Sequence, residues 1–174
     1  MMQFWLLFLT DILLGFVPQA AGCAVCVFTI ANQKLRSRSF WYTSLIYSAI
    51  AVIVRLAYNA KLIDFGFHTI VIWMIFVVVA ILYNKFPAVK ATVSILVSGI
   101  LITVSELITC VVFMLTIGNE QFNSIMNNTQ TIEGKIEKAI CGIPANFLFL
   151  IIVLILHRVV TISRQKRNST LDTN

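Results

Sequence analysis

Three ionisable residues stand inside strongly apolar runs: Arg55, His68 and Glu106. A charge within a membrane span costs about 2.5–3.5 kcal/mol on insertion scales, so such residues persist where they pair or serve a function. An arginine and a glutamate at one level each offset the cost of burying the other. A glutamate with an imidazole supplies a proton relay or a polar ligand site. The expected arrangement is therefore an Arg55–Glu106 ion pair with His68 adjacent. The three would line a cavity open to the outside and bind or couple to a ligand. Asp11 is expected higher, near the outer surface. The bland alternatives are a buried pair that only holds helices together, or an Arg55 that snorkels to the nearby surface.

Catalysis is not expected. No Ser or Cys nucleophile can be matched in sequence with a base and an orienter, and no phosphate-binding glycine loop or zinc-protease motif occurs. Cys23 and Cys26 form a C-x-x-C inside an apolar run, but neither His68 nor His157 is close in sequence. These cysteines therefore read as small buried hydrophobes, and neither a metal nor a cofactor is expected.

The elements that carry these residues follow from composition. Of 174 residues, 59% are hydrophobic and 11% charged, against about 25% charged in soluble domains. So little polar surface cannot coat a water-soluble globule, and the lipid bilayer becomes the expected solvent. The fold class is all-α, a polytopic membrane helix bundle of about five transmembrane helices. The predicted spans are 4–30, 40–56, 65–83, 91–117 and 145–160, forming one domain over 1–163. Residues 1–10 lack Lys and Arg, so the first segment is read as a retained helix rather than a signal peptide, with Pro18 as its kink. Ser94, Ser98 and Gly99 give the fourth helix a small-residue packing face. The outer loop, 118–143, contains Ile132, Ile136 and Ile140 at helical spacing. It predicts a short amphipathic surface helix capped by Thr131 and stopped at Gly142 and Pro144. Residues 164–174 are a basic tail.

Charge placement sets the orientation. Lys34, Arg36, Arg38, Lys85, Lys90, Arg158, Arg164, Lys166 and Arg167 fall on one side of the five-span threading, nine of the 13 basic residues. That side is expected to be cytoplasmic, with the N-terminus outside and the C-terminus inside. The net charge of +6 lies in these loops and the tail, so no nucleic-acid partner is expected. Arg55, His68 and Glu106 each lie fifteen residues from the cytoplasmic end of their span, which places all three roughly 22 Å above the inner boundary. Cys141 should be reachable from outside by a thiol reagent, with Cys23, Cys26 and Cys110 shielded.

Arg55, the run Phe65-Gly66-Phe67-His68-Thr69 and Glu106-Leu107-Ile108 together resemble a known family. It is the N-terminal membrane sensor region of peptide-sensing histidine kinases of the accessory-gene-regulator type, with the GHKL-type kinase domain absent. The resemblance implies a two-component signalling context and the cytoplasmic membrane of a bacterium. It also implies an extracellular peptide ligand, and a separate histidine kinase or a second copy of the chain as partner. The expected function is a non-enzymatic sensor-like or regulatory membrane protein that binds a peptide or small amphiphilic signal at its outer face. The alternative is a small membrane transporter, or a substrate-binding subunit of one, using the same Arg/Glu/His site.

Overall fold

The computed structural model describes residues 2–59, 67–128 and 131–171, and they are almost entirely helical. Helix α1 (Met2–Leu7), a π-helical stretch (Phe8–Phe16) and α2 (Val17–Ala31) follow one another without a break. They are followed by α3 (Arg38–Asn59), α4 (Phe67–Leu82), α5 (Ala88–Ile117), α6 (Asn119–Asn127) and α7 (Ile132–Leu171). Among the described residues, four helices are long and apolar enough to cross a membrane: Trp5–Ala31, Arg38–Tyr58, Ala88–Ile117 and Ile132–Lys166. That is compatible with a multi-pass membrane protein. The fifth apolar helix, α4, has 16 residues, and the predicted start of its span at 65–66 lies outside the described residues.

The irregularity expected at Pro18 takes a specific form. Proline supplies no N–H and crowds the carbonyl one turn back. The chain answers by opening into wider π turns just before it, and Pro18 then sits in the first turn of α2.

Helix α2 is the hub of the bundle, packed against α3, α5 and α7. Its second half, from Ala20 to Ala31, is buried almost throughout. Ala20, Gly22, Cys23, Ala24 and Cys26 keep that half slim, so neighbouring backbones come close and gain dispersion contacts where lipid offers no hydrophobic driving force. At Gly22 an added Cβ would run into the ring of Phe149 on α7. Phe28 packs edge-on against Phe40 and Phe86, with ring centroids 5.4 and 5.3 Å apart.

Helix α4 is apolar on every side yet clearly sorted. His68, Ile72, Phe76 and Ala80 are buried, whereas Phe67, Ile70, Met74, Val78 and Leu82 are exposed, as suits a face turned to lipid. Tyr47 on α3 is fully buried, stacks on Phe76 at 3.9 Å and donates its hydroxyl to the Phe76 carbonyl at 2.7 Å. The small-residue face expected on α5 is present. Ser94, Ser98, Ser105 and Thr109 are buried, and each hydroxyl donates to the carbonyl four residues back in its own helix. These groups are thus satisfied locally and serve packing.

Side-chain bonds fix which ends lie together. Ser39 and Thr43, at the start of α3, both donate to Asn84 Oδ1 beyond the end of α4. Arg164 on α7 donates to the Thr29 carbonyl at 3.1 Å and to Asn32 Oδ1 at 2.7 Å. Asn32 adopts the left-handed conformation that closes α2, with Gln33 N–H donating to the Phe28 carbonyl. The arginine adds a cation at the negative end of that helix. The loop after α2, the turn after α4 and the far part of α7 therefore share one end of the bundle, where all nine predicted basic residues gather. The opposite end carries α6 and the start of α7.

That opposite end departs from expectation. Thr131 does cap the helix, its hydroxyl accepting from the Gly134 N–H at 3.1 Å. The helix does not stop at Gly142 and Pro144, however, and does not lie apart as a surface element. It continues as α7 through to Leu171. Among apolar surroundings an interior proline costs less than exposing a broken helix, because no water is there to satisfy freed backbone groups. Of the three isoleucines in the predicted stripe, only Ile136 is buried.

Two glycines give opposite expectations. Around Gly142 an added Cβ meets nothing within 4 Å, so Gly142→Ala should leave stability unchanged or raise it by up to about 1 kcal/mol. Gly22→Val should lower it by about 1–3 kcal/mol through overpacking against Phe149. Reversible unfolding in bicelles would measure both.

Candidate functional site

The end of the bundle away from the basic loops holds a cavity of about 990 Å³, partly open to the surroundings. Arg55, His68 and Glu106 all line it. The structure thus brings the three sequence-predicted residues to one cavity, from α3, α4 and α5. Residues that sequence reasoning left out of the site join them: Asp11 from the π-helical stretch, and Lys135 and Lys138 from the start of α7.

The expected Arg55–Glu106 pair is not formed. Arg55 pairs instead with Asp11 through two parallel bonds, Nε to Oδ2 at 3.0 Å and Nη2 to Oδ1 at 3.1 Å. This is the fork geometry that arginine offers a carboxylate. The reason lies in the packing. Helices α3 and α5 share no substantial interface, whereas the π-helical stretch packs directly on α3.

The guanidinium is also held between rings. Its carbon lies 4.9 Å from the centroid of Phe16 and 4.9 Å from that of Tyr58, a cation–π arrangement that gains strength where water is scarce. Tyr58 in turn packs against His68, centroids 4.7 Å apart, and His68 Nε2 lies 3.3 Å from Thr69 Oγ1. Arg55 and His68 therefore share one aromatic-lined wall. Glu106 stands on another wall and makes no ion pair or hydrogen bond among the described residues.

The lysines owe their place to the unbroken α7, whose first turns lean over the cavity instead of lying apart. Lys138 donates to the Met126 carbonyl of α6 at 3.3 Å, and Phe122 of α6 is buried beneath this cover. The missed signals were present in the sequence. Asp11 is the one acidic residue of the first apolar segment, and the lysines lie within the helical segment 132–140, off its isoleucine repeat.

Cys23 and Cys26 are buried, and Cys26 Sγ donates to the Ser94 carbonyl at 3.5 Å. Cys110 is half-buried like Cys141 and lines the same cavity. Among the described residues, no group of three or more His, Cys, Asp or Glu is arranged to hold a metal ion. No family model, curated protein or solved structure matches the chain.

Removing one partner of the ion pair strands the other. With side-chain exposures of 21% for Arg55 and 13% for Asp11, Asp11→Asn or Arg55→Met alone should cost about 3 kcal/mol, and the double substitution should recover most of that loss. A double-mutant cycle on unfolding reads this directly, and additive losses would mean the pair contributes nothing. Alkylation of the folded protein should reach Cys110 and Cys141, while Cys23 and Cys26 react only after denaturation.

Proposed function

We propose that this chain is a non-enzymatic, sensor-like or regulatory integral membrane protein that takes a peptide or small amphiphilic ligand into the cavity. The observation that carries this reading is a single cavity lined by Arg55, His68 and Glu106 from three different helices. Ionisable groups inside an apolar bundle are expensive, and they cluster where a ligand or ion is handled. The volume matches that of known small-molecule sites, roughly 300–1,000 Å³. Apolar walls with a few convergent polar groups suit an amphiphile.

The gathering of the nine basic residues at the other end supports a cytoplasmic location for that end and an outward-facing cavity. The N-terminus is then outside, the C-terminus inside, and α4 completes five spans. The likeness of Arg55, His68 and Glu106 with their neighbours to accessory-gene-regulator-type sensor regions supports a bacterial cytoplasmic membrane and an extracellular peptide signal. On that reading the signal passes to a separate histidine kinase or to a second copy of the chain. The continuous α7 offers the route, because its first turns cover the cavity and its far part carries Arg164 at the basic end.

A transporter is the second reading. It is favoured by the presence of both Glu106 and His68 around one cavity, which together could pass a proton. Uptake into vesicles driven by a pH gradient would decide for it.

The binding reading is tested in nanodiscs with Trp5→Phe and Trp41→Phe, leaving Trp73 on the cavity wall as the reporter. A brominated long-chain alcohol should quench Trp73. Gly142→Phe places a ring in the open space beside Gly142 and should weaken that quenching by about tenfold in apparent affinity. Equal quenching in both proteins would place the probe in lipid alone and reject the cavity as its site. Glu106→Gln should weaken the response to the natural signal while leaving expression unchanged.

A further inference from the structure

We infer that the junction between the start of α3 and the turn after α4 binds the headgroup of an acidic phospholipid, with Arg38 and Lys85 as its cations. The inference concerns the basic end of the bundle and stands apart from the reading of the cavity. Ser39 Oγ donates to Asn84 Oδ1 at 2.6 Å, and Thr43 Oγ1 donates to the same oxygen at 3.0 Å. Those bonds bring the residue before Ser39 and the residue after Asn84 to one place on the surface. They are Arg38 and Lys85, both exposed. Neither side chain makes an ion pair or hydrogen bond among the described residues. Helices α3 and α5, which both begin at this end, carry no acidic residue in their first turns. Asp64 and Asp172 lie outside the described residues. In sequence Asp64 falls between the far ends of α3 and α4, and Asp172 would offset one of the nine basic residues gathered here.

The backbone of Lys85 is a second, independent sign. Its φ is 55°, the left-handed conformation that glycine adopts freely and that a side chain makes costly. The turn is anchored by the next residue. Phe86 is buried, its ring centroid lies 5.3 Å from that of Phe28, and its N–H donates to the Ala80 carbonyl at 3.1 Å. Glycine would make this turn with less strain, so the turn gives no reason for a lysine. A cation held at the membrane surface gives one. Trp41 and Tyr42 on α3 and Tyr83 just past α4 are exposed around the junction, and such rings settle at headgroup level. They set Arg38 and Lys85 among lipid phosphates, which favours a lipid over a soluble polyanion. The guanidinium offers a phosphate two parallel donors, and the ammonium adds a point charge. A zwitterionic headgroup brings its own cation, which these two would repel. A headgroup whose only charge is the phosphate fits both.

The test uses the full chain with Trp5→Phe and Trp73→Phe in phosphatidylcholine nanodiscs, leaving Trp41 beside the junction as the reporter. The probe is phosphatidylglycerol brominated on its acyl chains near the headgroup, with phosphatidylcholine brominated in the same way as the reference. The acidic lipid should quench Trp41 with about tenfold or more the apparent affinity of the reference, and high salt should narrow the gap. Lys85→Gly should lower the preference about fivefold without lowering stability to unfolding in bicelles. Arg38→Gln should lower it to a similar extent, and Lys135→Gln at the opposite end should leave it unchanged. Equal quenching by the two lipids in the parent protein overturns the inference, and that comparison needs no variant to fold. A preference that survives both Lys85→Gly and Arg38→Gln also overturns it, since the whole basic end would then be responsible. So does displacement of the brominated lipid by an equal amount of free glycerol phosphate or of poly-glutamate, which would assign the junction to a soluble phosphate ester or to an acidic protein. None of these outcomes bears on the cavity, whose own test reads Trp73.

Discussion

The close approach of three helices to the slim half of α2 is the constraint on which the rest of the bundle depends. Ala20, Gly22, Cys23, Ala24 and Cys26 leave room for Phe149, for the serine-rich face of α5 and for the aromatic cluster of Phe28, Phe40 and Phe86. Lipid tails are as apolar as leucine, so oiliness alone gives these helices no reason to associate. Fit does, together with the few side-chain bonds that cross between helices. This half of the molecule is dense, and that density leaves the other half free to be hollow.

In the hollow half the polar groups are divided between two kinds of work. The Arg55–Asp11 pair, sandwiched by Phe16 and Tyr58, closes on itself and ties the first helix to the third. His68 is drawn into the same wall through Tyr58. Glu106 and the lysines of α7 are not engaged in that way. The cavity thus has one wall whose charges are internally balanced and others whose charges are open to something that enters.

Much of this was legible in the amino-acid sequence, and the failures share a cause. Apolar runs marked the helices, the small residues of 94–99 marked a packing face, and Thr131 marked a cap, because each rests on local chemistry. Counting residues put Arg55, His68 and Glu106 at one level, and in the structure all three line one cavity. Asp11, expected nearer the outer surface, instead meets the Arg55 side chain, so Arg55 was matched with the wrong carboxylate. Partner choice also depends on which helices touch, which no single-chain pattern records. Gly142 and Pro144 read as a stop because that rule belongs to water, where a broken helix can be solvated.

Helix α7 is about 60 Å long by its 40 residues, roughly twice the thickness of a bilayer's hydrocarbon core. It has no loop along its course. Torque applied to the turns that carry Lys135 and Lys138 is therefore delivered to Arg164 and the last carbonyls of α2. The compliance of that shaft is greatest near Pro144, where the backbone ladder lacks a rung.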